Sequence, residues 1–232
     1  MGYSIITTCD SGYFPFLKIL VDSTFEVCDV TKIYNFIVVD TGLIDEQREY
    51  LLNKSDVIKL KKTNMDTKFK GGVWGDDWRQ NVKSKTVTLA EIVSQIDHPL
   101  LMLDADMKVL RDLNGLMDYK GDLQVCFRPN NRTNYIGSFF FVMNPQKCLE
   151  FIKHWRDTTN NSNSKTAMES PALGVSIDKF EKSLDIVKHP ECLVNVVSKK
   201  LLKDDSFLVH YKSKDLDKNL EDTLKNRIWN TK

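Results

Sequence analysis

The alternation of strand-like and helix-like segments in the first sixty residues is the feature that most restricts the fold. β-rich stretches occupy residues 3–9, 34–39 and 57–60, and helix-like stretches at 16–25 and 45–53 separate them. Parallel strands require a crossover connection of this kind, usually an α-helix. The β-α-β-α-β order therefore predicts an α/β fold with a parallel, nucleotide-binding type of sheet.

A second constraint is the apolar run Leu100–Leu103, which ends at Asp104-Ala105-Asp106. It follows a helical apolar pattern at residues 82–96, and a short apolar run in that position indicates a buried parallel strand. Ligands of open α/β sheets bind at the carboxyl ends of the strands, so this strand would deliver its aspartates to a cleft. The two-residue period of a strand points Asp104 and Asp106 to one side and Ala105 to the other.

Two neighbouring carboxylates are costly unless positive charge lies between them. A hard divalent cation of the Mg²⁺ type, which binds one or two carboxylates together with phosphate oxygens, would supply that charge. The alternative is that Asp104 and Asp106 form only a solvated turn, as Asp-x-Asp does by chance in many chains.

Composition excludes several classes of function. The chain has 232 residues and 41% hydrophobic content, enough for one sizeable core or two tightly joined lobes. The chain has 33 Lys and Arg residues and 32 Asp and Glu residues, so its net charge is close to zero. It therefore has no overall positive field that would favour binding to nucleic acid or to an acidic membrane. Five scattered cysteines predict reduced thiols and a cytoplasmic location. No run has membrane-spanning length, and none resembles a signal peptide.

The second half of the chain continues with strand and helix signals. Strands are predicted at residues 123–127, 137–143, 184–187, 194–197 and 207–209, and helices at 146–157 and from Ser170-Pro171. The Thr-, Asn- and Ser-rich residues 158–165 are predicted to be a mobile loop. Residues 215–232 are charged with little apolar face, which predicts a C-terminal helix or a linker towards a further part of a longer chain.

The order of these features resembles that of the GT-A glycosyltransferases. The matching features are a first strand leading to Asp10 and Tyr13, a Lys- and Arg-bearing helix, Leu-Asp-Ala-Asp at 103–106, Gly-Ser-Phe-Phe-Phe at 137–141 and Val-His-Tyr-Lys at 209–212. The resemblance covers residues 3–214 and is nearest to retaining, UDP-sugar-dependent enzymes like glycosyltransferase family 8. The chain also resembles the glycosyltransferase domain of capsid-glycosylating proteins of large DNA viruses of the chlorella-virus type, which would place it in the host cytoplasm.

The resemblance implies a single GT-A domain, a Rossmann-like nucleotide-diphosphosugar transferase fold with a mixed central sheet, over residues 1–214. Residues 1–110 would be its nucleotide-binding lobe and 111–214 its acceptor lobe. It further implies metal-dependent transfer of a sugar, such as glucose or the deoxysugar rhamnose, from a UDP-sugar. The acceptor would be a carbohydrate, in particular a glycan on a glycoprotein, and the anomeric configuration would be retained.

The same resemblance assigns donor-binding residues. The nucleotide base would lie against the end of the first strand and its turn, at Thr8, Cys9, Asp10 and Tyr13. Tyr13 could stack on uracil, an interaction worth roughly 1–3 kcal/mol. Alternatively, Tyr13 and Phe14 form a hydrophobic staple for the next helix.

The diphosphate would be approached by basic residues. The candidates are Arg79, Lys83 and Lys85 on the helix before the Asp-Ala-Asp strand, and Lys212 and Lys214 after the last strand, where the glycine of the family pattern is absent. Lys85 is the best match, and Asp104 and Ala105 complete the donor set. The alternative for each residue on the helix is a solvated basic face.

The metal ligands implied by the resemblance are Asp104, Asp106 and His210. A neutral imidazole beside carboxylate oxygens suits Mn²⁺ better than Mg²⁺, although either ion is compatible with the resemblance. Without the aspartates and the order of features, His210 would be interpreted as an ordinary surface histidine.

Catalytic and acceptor-binding candidates complete the list. Glu169 lies where the family carries Asp-Gln before a helix, and Asp178, Asp76 and Asp77 are rival carboxylates. The acceptor candidates are Trp74, Trp78, Asn134, Tyr135, Gly137 and Ser138. The two tryptophans could be sugar-stacking platforms or core residues.

Two other functions remain open. A nucleotidyltransferase shares the nucleotide-binding lobe and a metal aspartate, but such enzymes carry a basic, glycine-rich loop after the first strand, and Asp10-Ser11-Gly12-Tyr13 has no basic residue. A non-catalytic carbohydrate-binding domain would use the tryptophans and would not need Asp104, Asp106 and His210 together.

Overall fold

The computed structural model describes residues 2–63, 76–129, 133–163, 168–211 and 222, with only the backbone of residues 76–78. Three candidate residues, Trp74, Lys212 and Lys214, lie outside the described residues. So does the predicted C-terminal helix or linker, apart from Asp222.

The described residues form a mixed seven-stranded sheet and a separate two-stranded ribbon. The sheet strands are β1 (Tyr3–Cys9), β2 (Ile33–Asp40), β3 (Ile58–Lys62), β4 (Leu100–Leu103), β6 (Leu123–Phe127), β7 (Tyr135–Val142) and β8 (Ile186–Pro190), and the ribbon consists of β5 (Met107–Val109) and β9 (Leu208–His210). The order in the sheet is β3-β2-β1-β4-β7-β6-β8. Strands β1 to β4 are mutually parallel, whereas β7 runs antiparallel to both β4 and β6.

Helices cover both faces of this sheet. They are α1 (Phe14–Val27), α2 (Asp45–Lys54), α3 (Asp76–Val93), α4 (Pro145–Asn160), α5 (Glu169–Phe180) and the single turn α6 (Glu191–Val194). Successive residues of β1 point to opposite faces, as a strand requires. Ile5 therefore packs with Leu17 of α1, and Ile6 packs in the other core with Trp155 of α4.

The predicted β-α-β-α-β order at the N-terminus and the mixed central sheet are confirmed. Two local predictions are wrong. Residues 158–160 belong to α4, where Thr159 is fully buried, because the helical face continues beyond the polar composition of that stretch. Residues 194–197 are not a strand, because Val194 ends α6 and Val196 forms only an isolated bridge with Val209. In the described part of the chain, no helix combines the length and hydropathy needed to cross a membrane.

Candidate active site

The Asp104-Ala105-Asp106 segment is a turn at the carboxyl end of β4, held in place from two sides. The Asp104 amide donates to the carbonyl oxygen of Ser138 at 3.0 Å, and the Tyr211 amide donates to the carbonyl oxygen of Asp106 at 2.8 Å. Ala105 is buried inside the turn. Both carboxylates therefore have a fixed position outside the sheet. The prediction that the two-residue period of a strand orients them is wrong, because β4 ends at Leu103 and a turn positions both side chains.

The β5–β9 ribbon brings His210 to these carboxylates. Met107 lies opposite His210 in the antiparallel register, so the last residue of β9 returns beside the turn. His210 Nε2 lies 3.2 Å from Asp106 Oδ1 and 3.9 Å from Asp104 Oδ2. One ligand atom of each of the three residues lies within 4.8 Å of the others.

This donor set fits a divalent cation. Two carboxylate oxygens and one imidazole nitrogen converge, and the other ring nitrogen of His210, Nδ1, already lies 2.7 Å from Asn195 Oδ1. A metal-binding histidine usually donates its second ring N–H to such a partner. The predicted trio of Asp104, Asp106 and His210 is thus assembled by the fold, with Nε2 as the nitrogen that faces the carboxylates.

A buried ammonium group lies beside the trio. Lys85 of α3 donates a hydrogen bond to Asp104 Oδ1 at 2.6 Å and another to Glu169 Oε1 at 3.2 Å. Its Nζ also lies 3.0 Å from Glu169 Oε2. Burial lowers the pKa of Lys85, but the Asp104 and Glu169 carboxylates outweigh it and raise the pKa of the ammonium above its ordinary value. Lys85 therefore stays charged between two carboxylates.

Glu169 is the first residue of α5, and its backbone and side chain are both fixed. The indole N–H of Trp155 donates to the Glu169 carbonyl oxygen at 2.8 Å. A Cβ added at Gly137 would lie 3.1 Å from the Glu169 carboxylate, so the absence of a side chain on β7 makes room for it. Burial raises the pKa of Glu169 to about 7 against the opposing effect of the Lys85 ammonium.

The predicted base-binding residues lie at the carboxyl end of β1. Asp10 is buried and stabilises the following turn, because its Oδ1 accepts hydrogen bonds from the Gly12 and Tyr13 amides at 2.9 and 3.0 Å. Its Oδ2 accepts a hydrogen bond from the amide side chain of Asn81. Cys9 is buried and Thr8 half-buried.

Tyr13 lies near the acidic turn. Burial, and then the negative charges of Asp106, Asp10 and Asp104, raise the pKa of its hydroxyl to about 12. Its ring is half-buried and tilted against Phe16 at a centroid distance of 5.9 Å. The phenol therefore remains neutral at physiological pH beside the carboxylate cluster.

Other predicted residues are not brought to this cluster by any described contact. Asp178 is exposed and lies nine residues after Glu169, which is about 13 Å along the axis of α5. Arg79 and Lys83 are half-buried on α3. Asp76, Asp77 and Trp78 form the first turn of α3.

The four acceptor candidates around β7 differ in exposure. Asn134 is exposed, whereas Tyr135 is buried against the ring of Phe127 at 5.3 Å. Gly137 contacts Glu169, as described above. Ser138 is 1% exposed, and its hydroxyl donates to Asn195 Oδ1 at 2.9 Å. Ser138 thus contacts both Asn195, the partner of His210, and the backbone of Asp104.

Sequence reasoning missed Asn195 and Asn81. Asn195 is fully buried behind His210, and Asn81 is bonded to Asp10. Neither asparagine stands in a motif, and both meet their partners only through tertiary structure. No sequence signal would have found them.

Comparison with known proteins identifies the fold. No protein-family model and no curated protein sequence matches the chain. The galactosyltransferase LgtC in complex with donor and acceptor sugar analogs is 14% identical, with a TM-score of 0.66 over 96% of this chain and 95% of that one. An active-site mutant of LgtC, also 14% identical, gives 0.64 over 97% and 95%. The bifunctional glycosyltransferase WbbM, 12% identical, gives 0.65 over 92% of this chain and 46% of its own.

The chain therefore has the GT-A fold of these glycosyltransferases, as the sequence predicted. Identities this low establish a common fold. The narrower resemblances, to glycosyltransferase family 8 and to viral capsid-glycosylating proteins, remain predictions.

Proposed function

We propose that the chain is a metal-dependent glycosyltransferase that moves a sugar from a UDP-sugar to a carbohydrate acceptor. The observation that carries this proposal is the convergence of Asp104, Asp106 and His210 at the carboxyl end of β4. In open α/β sheets, this is the edge at which ligands bind. A neighbour of the same fold, LgtC, has been solved with donor and acceptor sugar analogs, which supports the same type of substrate pair for this chain.

Asp104, Asp106 and His210 would hold the cation. A bound divalent ion would offset the negative charge of the departing nucleoside diphosphate. The imidazole in the donor set favours Mn²⁺ over Mg²⁺. The buried Lys85, which already contacts Asp104, would add fixed positive charge on the same side of the turn.

The donor would extend from the end of β1 towards this turn. Uracil would lie against Tyr13, with Thr8, Cys9 and Asp10 forming the floor. Stacking on the neutral phenol ring would contribute roughly 1–3 kcal/mol. Arg79 and Lys83 on α3, with Lys212 and Lys214, are the further cationic candidates for the diphosphate.

The transferred sugar would lie beside Glu169. In a retaining transfer, the bond from the anomeric carbon to the β-phosphate oxygen breaks, and the acceptor oxygen bonds to the same face. The acceptor proton passes to the departing phosphate oxygen. The sugar ring becomes oxocarbenium-like in such a transfer. The Glu169 carboxylate, held by Lys85, would stabilise that positive charge.

The acceptor would be a carbohydrate, in particular a glycan on a glycoprotein, and glucose or a deoxysugar such as rhamnose would be the transferred sugar. Among the acceptor candidates around β7, Asn134 offers an exposed side chain next to the buried Tyr135. Trp74 and Trp78 are the further candidates for stacking on the acceptor.

The test is a screen of UDP-sugars for release of UDP, with and without Mn²⁺. We expect Mn²⁺-dependent release from one or a few UDP-sugars, and loss of release in Asp106→Asn. The matched control is Asp118→Asn, because Asp118 is an exposed aspartate outside the cluster. Release that needs no metal, or that persists unchanged in Asp106→Asn, would argue against the proposal. NMR of the product would then distinguish retention from inversion.

A further inference from the structure

We infer that Asn195 is a positioning residue that fixes which ring nitrogen His210 presents to the cation. The inference rests on the proposed metal site and concerns a residue that is not among the predicted donor-binding, acceptor-binding or metal-binding residues. Asn195 follows α6 and is fully buried between His210, Ser138 and Glu191.

The orientation of the Asn195 amide follows from its partners. Its Nδ2 lies 3.0 Å from Glu191 Oε1, and an ionised carboxylate can only accept hydrogen bonds. The NH₂ group must therefore face Glu191. Arg128 Nη1, 3.7 Å from the same Glu191 Oε1, supplies balancing positive charge to this carboxylate.

The orientation of the amide then determines the tautomer of His210. Asn195 Oδ1, which has no hydrogen, faces the His210 ring at 2.7 Å from Nδ1. Nδ1 must therefore carry the proton and donate it. In the neutral ring, the lone pair is then on Nε2, the nitrogen that lies 3.2 Å from Asp106. Histidine binds a metal through the unprotonated nitrogen, so Asn195 prepares His210 for its role.

A second buried histidine, His189, also faces a side-chain amide oxygen, but through the other ring nitrogen. Gln124 donates both N–H groups to the carbonyl oxygens of Leu116 and Tyr119, so its Oε1 faces His189 Nε2 at 2.9 Å. His189 is therefore protonated on Nε2, whereas His210 is protonated on Nδ1. In both of these buried histidines, the amide oxygen that faces the ring determines the tautomer.

Ser138 connects the Asn195–His210 pair with the Asp104 turn. Its hydroxyl donates to the same Asn195 Oδ1 at 2.9 Å, and its carbonyl oxygen accepts from the Asp104 amide. The control is taken outside this cluster. Gln124 is a buried amide that faces His189 as Asn195 faces His210, so Gln124→Leu removes the same kind of contact away from the proposed metal site.

The test is titration of Mn²⁺ with UDP held at a fixed concentration. We expect Asn195→Leu to weaken Mn²⁺ binding by about 10- to 100-fold, the usual cost of losing a partner of a metal-binding histidine. Gln124→Leu, which removes the buried amide that faces His189 and not His210, should stay close to wild type. Thermal unfolding of each variant, measured without metal, separates a loss of affinity from a loss of fold.

A rescue pair covers the case in which Asn195→Leu does not fold. Asn195→Asp keeps an acceptor for His210, but its new carboxylate would face the carboxylate of Glu191 and repel it. Adding Glu191→Gln restores a donor there, so the double variant should recover Mn²⁺ affinity lost in Asn195→Asp. A purely structural role for Asn195 predicts that affinity follows thermal stability and not the acceptor at Nδ1.

The outcomes distinguish the inference from the proposed function. If the wild type binds Mn²⁺ and folded Asn195→Leu binds it equally well, the role of Asn195 is refuted while the metal site stands. A folded double variant without recovered affinity has the same consequence. If the wild type binds no Mn²⁺, the metal site fails and the inference fails with it.

Discussion

Lys85 Nζ lies 2.6 Å from Asp104 Oδ1, so a buried ammonium group touches a carboxylate assigned to the metal. The same ammonium lies 3.0 Å from Glu169 Oε2 on α5. Lys85 thus links the proposed metal turn with the carboxylate proposed to face the sugar. One ion-pair network therefore fixes the positions of Lys85, Asp104 and Glu169, three groups that the proposed reaction would use.

Replacing Lys85 with methionine should be strongly destabilising in the metal-free protein. The substitution leaves the half-buried Asp104 and Glu169 carboxylates without their cation. Breaking a fully buried pair costs about 3–5 kcal/mol, which is the upper bound for this change. Lys61→Met is the control, because Lys61 forms a 2.8 Å pair with Glu91 in which both side chains are substantially exposed. That change should cost less than about 1 kcal/mol. Chemical denaturation of both variants measures the difference, and equal costs would contradict the network.

Glu169→Gln should impair transfer much more than donor binding. Above about pH 7, where Glu169 is mostly ionised, the amide keeps the size of the side chain but loses the negative charge. Losing such an electrostatic contact typically lowers kcat by about 10²–10³-fold. Asp178→Asn on the same helix should be close to wild type, because Asp178 is exposed and distant along α5. Steady-state kinetics compares the two. A larger loss of kcat in Asp178→Asn than in Glu169→Gln would indicate that Asp178, and not Glu169, faces the transferred sugar.

Gly137→Ala should displace Glu169. The new Cβ would lie 3.1 Å from the Glu169 Cδ and Oε1 atoms, closer than ordinary contact. Misplacement of a reacting group by about 1 Å can cost 10²-fold in rate. Gly174→Ala on α5 is the matched control, since its Cβ would meet Tyr135 at an ordinary 3.7 Å. We expect reduced kcat in Gly137→Ala alone, and unchanged kcat there would mean that the position of Glu169 is not critical.

His189 should make the fold sensitive to acid. Burial lowers the pKa of His189 to about 4 from an unfolded value near 6.5. Between these pH values the unfolded chain binds more protons than the folded one, so the free energy of unfolding falls as pH decreases from 6.5 to 4. The full effect is about 3 kcal/mol.

His189→Gln tests this pH dependence. Glutamine can still donate a hydrogen bond to Gln124 but does not titrate in this range. The difference in unfolding free energy between wild type and variant should therefore shrink or reverse as pH decreases from 6.5 to 4. Parallel curves over that range would show that His189 does not titrate as its burial requires.

The parts of the fold that the sequence predicted depend on local pattern. Apolar spacing identified β1, β2, β4 and their connecting helices, because each element carries its own periodicity. Residues 158–160 were misassigned because a polar composition concealed a helix whose Thr159 is buried. Residues 194–197 were misassigned because β-branched residues there end a single helical turn.

The site was predictable only in part. Asp104 and Asp106 stand in a motif, and the family resemblance added His210. The Lys85–Glu169 contact joins residues 84 positions apart, and Asn195 meets His210 only after β9 folds back along the acidic turn. Such long-range pairs leave no trace in the local spacing of one sequence. The burial of Ser138 behind the turn is of the same kind.

The most direct measurement is calorimetric titration of UDP into the protein with and without Mn²⁺, on wild type, Asp106→Asn and Asp118→Asn. The proposed donor site predicts that tight UDP binding requires Mn²⁺, is lost in Asp106→Asn and is retained in Asp118→Asn. UDP binding that is absent, or that is the same without Mn²⁺ and in Asp106→Asn, would contradict the assignment of Asp104, Asp106 and His210 as the metal centre of a glycosyltransferase.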